Sequence, residues 1–203
     1  MKKFLVLMLI AVLGISAADA ASIKKELKKT VKAYVAEGWT VPIGNSPLAN
    51  QITRSIEYRE AMDDNDEPKY VIGEAMTIGE NYDAAHFQAM ELVKNDIAGR
   101  MASDITTLIE NNIANKQLGE QQAASLVETV AGGKSLISAK LTRVIDLVSV
   151  YRITKAKTVE VRMVGAYNYK NAARAAQNAI REELSKKSDD LVKQLDKVLG
   201  LNK

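Results

Sequence analysis

Apolar residues recur at helical spacing over most of this chain and alternate in three short stretches. Ile23, Leu27, Val31, Tyr34 and Val35 repeat at three and four residues, so the spacing predicts a first helix over 22–37, with Ser22 able to cap it. Gly38 is placed to end that helix, and Trp39-Thr40-Val41-Pro42 reads as a short extended segment. Ser46 before Pro47 is a helix-start signal, and Leu48, Ile52 and Ile56 line one side of a second helix ending near Met62. The run Asp63-Asp64-Asn65-Asp66-Glu67-Pro68 is a polar loop.

A strand is predicted over 70–79. Tyr70, Ile72, Met76 and Ile78 share one face, interrupted by Glu74; Val71, Gly73, Ala75 and Thr77 make a small-residue face that lets another element approach closely. A long helix over 82–115 follows, with Ala85, Ala89, Val93, Ile97, Met101, Ile105, Ile109 and Ile113 stepping by four. It would extend roughly 50 Å, which favours a bend near Gly99 or an elongated molecule. A helix over 119–131 stops at Gly132-Gly133. Alternation over 139–153, with Leu141, Ile145, Leu147, Tyr151 and Ile153 on one face, predicts a second strand. Thr154-Lys155-Ala156-Lys157 then turns into a third over 158–167. An alanine-rich helix over 170–199 closes the chain.

This order predicts an α+β fold: a small antiparallel sheet of about three to four strands, covered on one face by long helices. The expected divisions are a leader over 1–20, an N-terminal helical segment over 21–68 and an α+β domain over 69–203.

The first residues supply an address. Lys2 and Lys3, an apolar run over 4–15 and the small-x-small site Ala18-Asp19-Ala20 have the layout of a secretory signal peptide, so the mature protein is expected to begin at Ala21. The apolar run is shorter than the roughly 20 residues of a spanning helix. The chain has no cysteine and one histidine, His86, which leaves no thiol nucleophile, acylated cysteine, cysteine zinc site or multi-histidine metal site. A formal net charge of +3, lowered by removal of the leader, lacks the concentrated basicity of a nucleic-acid binder.

The passage Val71-Ile72-Gly73-Glu74-Ala75-Met76-Thr77-Ile78-Gly79, then Tyr82-Asp83-Ala84-Ala85 and the alanine-spaced helix, resembles the bacterial lipoprotein-twenty family of envelope proteins over about residues 69–185. The resemblance implies an envelope location and an α+β domain of a glycine-containing strand, a long helix, a hairpin and a last helix. It implies no catalytic motif. Lacking the acylated cysteine, the chain is more similar to non-lipidated exported relatives of the Bacteroidales type.

Templates for chemistry fit poorly. Gly132-Gly133-Lys134-Ser135 has Glu128 where a phosphate loop needs its first glycine, and it follows a helix, so no nucleotide is expected. Asp63, Asn65, Glu67 and Glu74 can be laid on a calcium-hand loop, but Pro68 takes the place of its glycine. His86 comes with no G-x-S-x-G elbow. Asp96 with Arg100, Glu182 with Lys186 and Glu183 with Lys187 have the spacing of exposed helix ion pairs. The basic face Lys24, Lys25, Lys28, Lys29 and Lys32 opposes the first helix's apolar stripe and suits an anionic membrane surface or a solvated exterior.

The expected function is an exported, non-catalytic envelope or secreted protein without cofactor or metal, acting as an interaction or structural module. Its expected partners are itself, another envelope protein or an anionic membrane, not nucleic acid. The alternatives are a membrane-surface binder through the lysine face and a hydrolase using Glu74, or Asp83, with His86.

Overall fold

A computed structural model describes residues 17–114 and 118–199. Residues 1–16 of the expected leader lie outside it, whereas 17–20 form the opening turn of the first helix. The elements are α1 (Ala17–Ala36), α2 (Leu48–Glu60), β1 (Tyr70–Gly79), α3 (Tyr82–Ala114), α4 (Glu120–Gly132), α5 (Lys134–Lys140), β2 (Ile145–Ile153), β3 (Val159–Asn168), α6 (Tyr169–Ser185) and α7 (Asp189–Val198). The fold is α+β, with one antiparallel sheet in the order β1-β3-β2.

α3 lies across the sheet on the stripe its spacing predicts: Ala85, Ala89, Val93, Ile97, Met101, Ile105 and Ile109 are all buried. It passes through Gly99 as one continuous helix. Two glycines create its seat. Gly73 of β1 and Gly165 of β3 are neighbours in register. A Cβ on Gly73 would lie 2.6 Å from the Val93 carbonyl oxygen, and one on Gly165 would lie 2.8 Å from Val93 Cγ1. Removing both side chains lets the helix descend onto the strands, and Val93 fills the space. Val159, Val161 and Met163 of β3 face α3 as the alternation predicts.

The opposite face is also covered, by shorter elements. Leu48 and Ile52 of α2, Trp39 and the sheet residues Ile72, Val148, Val150, Val164 and Ala166 form a second core, joined by Leu27, Val31 and Tyr34 of α1. Gly38 ends α1 at φ 82°, where Gly38 N–H donates to the Val35 carbonyl and Trp39 N–H to that of Tyr34. The Arg152 guanidinium lies 4.4 Å from the Trp39 ring centroid.

Four local expectations change. The strand expected from Ala139 begins only at Ile145: residues 139–140 close α5, whose Ile137 and Ser138 are buried in succession, and 141–144 lead into β2. A bulge between Asp146 and Val148 breaks the alternation of β2, so Leu147 joins Val148 and Val150 on the α2 side while Tyr151 packs on the α3 side. Ser46 makes no cap on α2; Pro47 is the capping residue, and the Ser46 carbonyl instead accepts from Gln51 Nε2 at 2.6 Å. The last helix is broken: Lys187 and Ser188 N–H both donate to the Leu184 carbonyl at 2.8 Å, and Ser188 Oγ caps α7. α7 docks through the buried Leu195, fixed by an Arg181–Asp196 ion pair at 2.8 Å.

Gly132-Gly133 ends α4 as expected, with Gly133 at its C-cap, and Gly133 has a second task as well. Its φ is −81°, ordinary for any residue, but a Cβ there would stand 2.4 Å from Ile180 Cδ1 of α6. Close helix approach, together with the stop of α4, explains this glycine.

Candidate functional site

A sheet of three strands has two edges, and they are finished differently. On β2, the outward N–H of Tyr151 donates to the Thr40 carbonyl at 2.9 Å, and Thr40 N–H returns to the Tyr151 carbonyl at 2.7 Å. Ser149 N–H donates to Gln51 Oε1 at 2.8 Å. Gln51 and Ser149 are 6% and 1% exposed, so water does not compete for this bond. The predicted extended segment after α1 thus closes one edge with a single bridging residue.

β1 is different. Glu74 N–H points away from β3 and donates to Asp96 Oδ2 at 3.0 Å. Backbone groups in an antiparallel strand alternate in direction, so Ile72, Met76 and Ile78 also turn theirs outward. Among the described residues no strand pairs with this side of β1. Met76 and Ile78 are 57% and 58% exposed along it. Leu92, 42% exposed, stands one turn before Asp96 on the same flank of α3.

At the other end of this edge an open cavity of about 520 Å³ lies between α2 and α3, floored by Tyr70 and Ile72 and walled by Ile56 and Met101. Its polar groups are ordered by one another. Arg59 pairs with Glu74, Arg100 pairs with Asp96 at 3.3 Å, and Tyr169 donates to Asp104 Oδ2 at 2.8 Å. Burial, reinforced by the Asp104 carboxylate, pushes the Tyr169 hydroxyl up to about 12, so it remains a donor at neutral pH.

Glu74 and His86 do not converge. Glu74 turns to the α2 side of the sheet with Arg59, whereas His86 belongs to α3 on the opposite side. Its ring stacks on Tyr82 at 5.4 Å, and its Nε2 lies 4.0 Å from Asp146 Oδ2. Burial raises the Asp146 carboxyl, opposed by His86 and Arg54, and its Oδ1 has no hydrogen-bond partner. Ser149 Oγ meets the Tyr82 hydroxyl at 3.3 Å rather than the imidazole. Nucleophilic catalysis requires the base to reach the hydroxyl it activates, and here the two pairs are separate. Asp83 lies in the exposed first turn of α3.

The remaining candidates have local explanations. Asp63 Oδ1 accepts from the Asn65 and Glu67 N–H groups, and Oδ2 lies 2.7 Å from Lys170 Nζ. The Lys170 ammonium and those N–H groups hold its carboxyl down at about 2, so one oxygen serves the turn and the other ties it to α6. No group of three or more ligating side chains fit for a metal occurs among the described residues. Gly132-Gly133-Lys134-Ser135 joins two helices. Glu183 pairs with Lys186 at 2.9 Å and Glu182 with Lys140 of α5 at 2.8 Å, in place of the four-residue spacings expected.

On α1, Lys25, Lys28, Lys29 and Lys32 are exposed while Leu27, Val31 and Tyr34 are engaged by the second core; the side chain of Lys24 lies outside the described residues. Three of the five stripe residues are thus partly engaged by the domain, Val35 is exposed, and the side chain of Ile23 lies outside the described residues. No helix among the described residues is long and apolar enough to cross a membrane. Comparison with protein-family models, with curated proteins and with solved structures finds no match to this chain.

The residues sequence reasoning missed are those at the open edge. Asp96 and Arg100 were visible as a spaced pair, but nothing local marks Asp96 as the acceptor for a strand 22 residues earlier. Arg59 and Tyr169 carried no signal beyond ordinary helix composition.

Proposed function

We propose that this is an exported, non-catalytic interaction module of the cell envelope, which takes an extended segment of a partner protein onto the free edge of β1. The observation that carries this reading is the contrast between a sealed β2 edge and an open β1 edge. An unpaired edge offers a row of donors and acceptors to an added strand, and neighbouring pockets choose its side chains. Met76 and Ile78 provide an apolar strip for such a segment, and the cavity over Tyr70 and Ile72 provides a side-chain pocket. The leader-like residues 1–20 and the resemblance to the lipoprotein-twenty family support the envelope location. The hydrolase alternative has less support, since Glu74 and His86 face opposite sides of the sheet.

A photo-cross-linkable residue at Ile78, introduced in cells, tests the reading against the same residue at Ile153 on the β2 edge. Covalent adducts to a protein partner are expected from Ile78 and not from Ile153, in the envelope fraction, on a chain whose mass begins at Ala21. Equal labelling from both positions, or adducts from neither, would end the proposal.

A further inference from the structure

Resting on the reading of β1 as a docking edge, we infer that its occupant is the β1 edge of a second copy, giving a two-fold dimer with one sheet running through both molecules.

The argument starts from register. Outward-facing positions on β1 are Ile72, Glu74, Met76 and Ile78, so an antiparallel partner must match these positions to one another. A two-fold axis at Glu74 would set two Glu74 carboxylates opposite each other. An axis at Thr77 would set Glu74 against the partner's Glu80, again like charges. An axis at Met76 would set the buried Ile72 against that glutamate. An axis at Ala75 does none of these. It pairs Ile72 with the partner's Ile78, Glu74 with the partner's Met76, and Tyr70 with the partner's Glu80. The incoming Ile78 then enters the cavity floored by Ile72, and the incoming Glu80 carboxylate reaches the end where Arg59 and Arg100 stand. Of these four registers, charge and shape agree in this one.

The helices agree with it too. Val93 sits on both Gly73 and Gly165, so α3 rides between β1 and β3, close to the edge. Strands about 4.8 Å apart would bring the two α3 helices to roughly the 8–10 Å at which helices pack. The axis then passes near Leu92, one turn from Asp96, and its exposed side chain meets its own counterpart. Asp96 holds the Glu74 N–H in the monomer and must yield it to the carbonyl of the partner's Met76. Arg100, already 3.3 Å away, retains the displaced carboxylate. Asp96 is therefore a built-in competitor for the edge.

The test is sedimentation of the purified protein over a range of concentrations. A reversible monomer–dimer equilibrium is expected. Ile78→Pro removes an outward N–H without touching the β3 ladder, and should weaken the dimer by roughly tenfold or more, since the symmetry deletes the bond twice. Asp96→Ala should tighten it. The chain has no cysteine, so Leu92→Cys should oxidise to a covalent dimer while Leu136→Cys, exposed on α5, should not. A dimer indifferent to Ile78→Pro, or one weakened by Asp96→Ala, overturns the register. A protein that stays monomeric while Ile78 cross-links a different protein in cells overturns self-pairing and leaves the docking edge standing. Monomer without any Ile78 adduct removes both.

Discussion

The two outer strands of this sheet have similar lengths and the same central partner, yet one is sealed and the other is not. β2 is closed by Thr40 and Gln51, residues that arrive from the α1–α2 region and satisfy Tyr151 and Ser149. Among the described residues the outer edge of β1 meets one carboxylate, Asp96, at its midpoint. Natural sheets usually blunt both edges against unwanted pairing. Met76 and Ile78 stand exposed beside one edge, while a buried glutamine closes the other, and this contrast is what the proposed docking edge rests on.

The sharpest way to break this comparison is to attack the inner face of β1 rather than its edge. Gly73→Leu places side-chain atoms where the Val93 carbonyl and Ile97 already lie, and should cost about 3 kcal/mol or more in urea unfolding, or prevent folding. Gln51→Ala opens the closed edge. It strands the buried Ser149 N–H and the Ser46 carbonyl, so a loss of about 2 kcal/mol is expected. Met76→Ser on the open edge, an exposed position, should change the stability of the monomer by only about 0.5 kcal/mol or less. The same urea curves thus separate a residue that closes an edge from one that decorates it.

Acid sharpens the contrast from another direction. The folded Asp63 carboxyl titrates at about 2, below its ordinary 3.8, because Lys170 and two backbone N–H groups favour its charged form. A depressed carboxylate contributes stability above its unfolded value and loses it as pH falls toward the folded one. Between about pH 4 and pH 2 the turn that leads into β1 should loosen, as the Met62–Pro68 bridge beside it frees the start of the strand. Amide chemical shifts of 63–67 and of Lys69 should report this, while those of 39–41 at the β2 edge stay unchanged over that range.

Much of the framework was readable in the residues. The step of four from Ala85 to Ile109 identified both α3 and its buried side, and the small face of β1 foretold that a helix would descend onto Gly73. These signals are local and periodic. What escaped depends on pairing across long separations: Ser149 and Gln51 are 98 positions apart, and no pattern near either one announces the bond. The bulge after Asp146 hid the true faces of β2 by breaking the period on which the expectation relied. α5 was lost because seven residues are too few to establish a helical repeat next to a β-like run. The candidate site was legible least of all, since an edge is a property of the assembled sheet. Glu74 was noticed as an interruption in a strand, but its partner Arg59 comes from a helix that packs on the far side from His86.

Amide hydrogen exchange in dilute protein tests the central contrast most directly, because each outward N–H reports its own partner. Ser149 and Tyr151 on β2 should exchange only with global or near-global opening, while Met76 and Ile78 on β1 should exchange orders of magnitude faster. Equal protection of all four amides at low concentration would mean that the β1 edge is already covered, and would contradict the account.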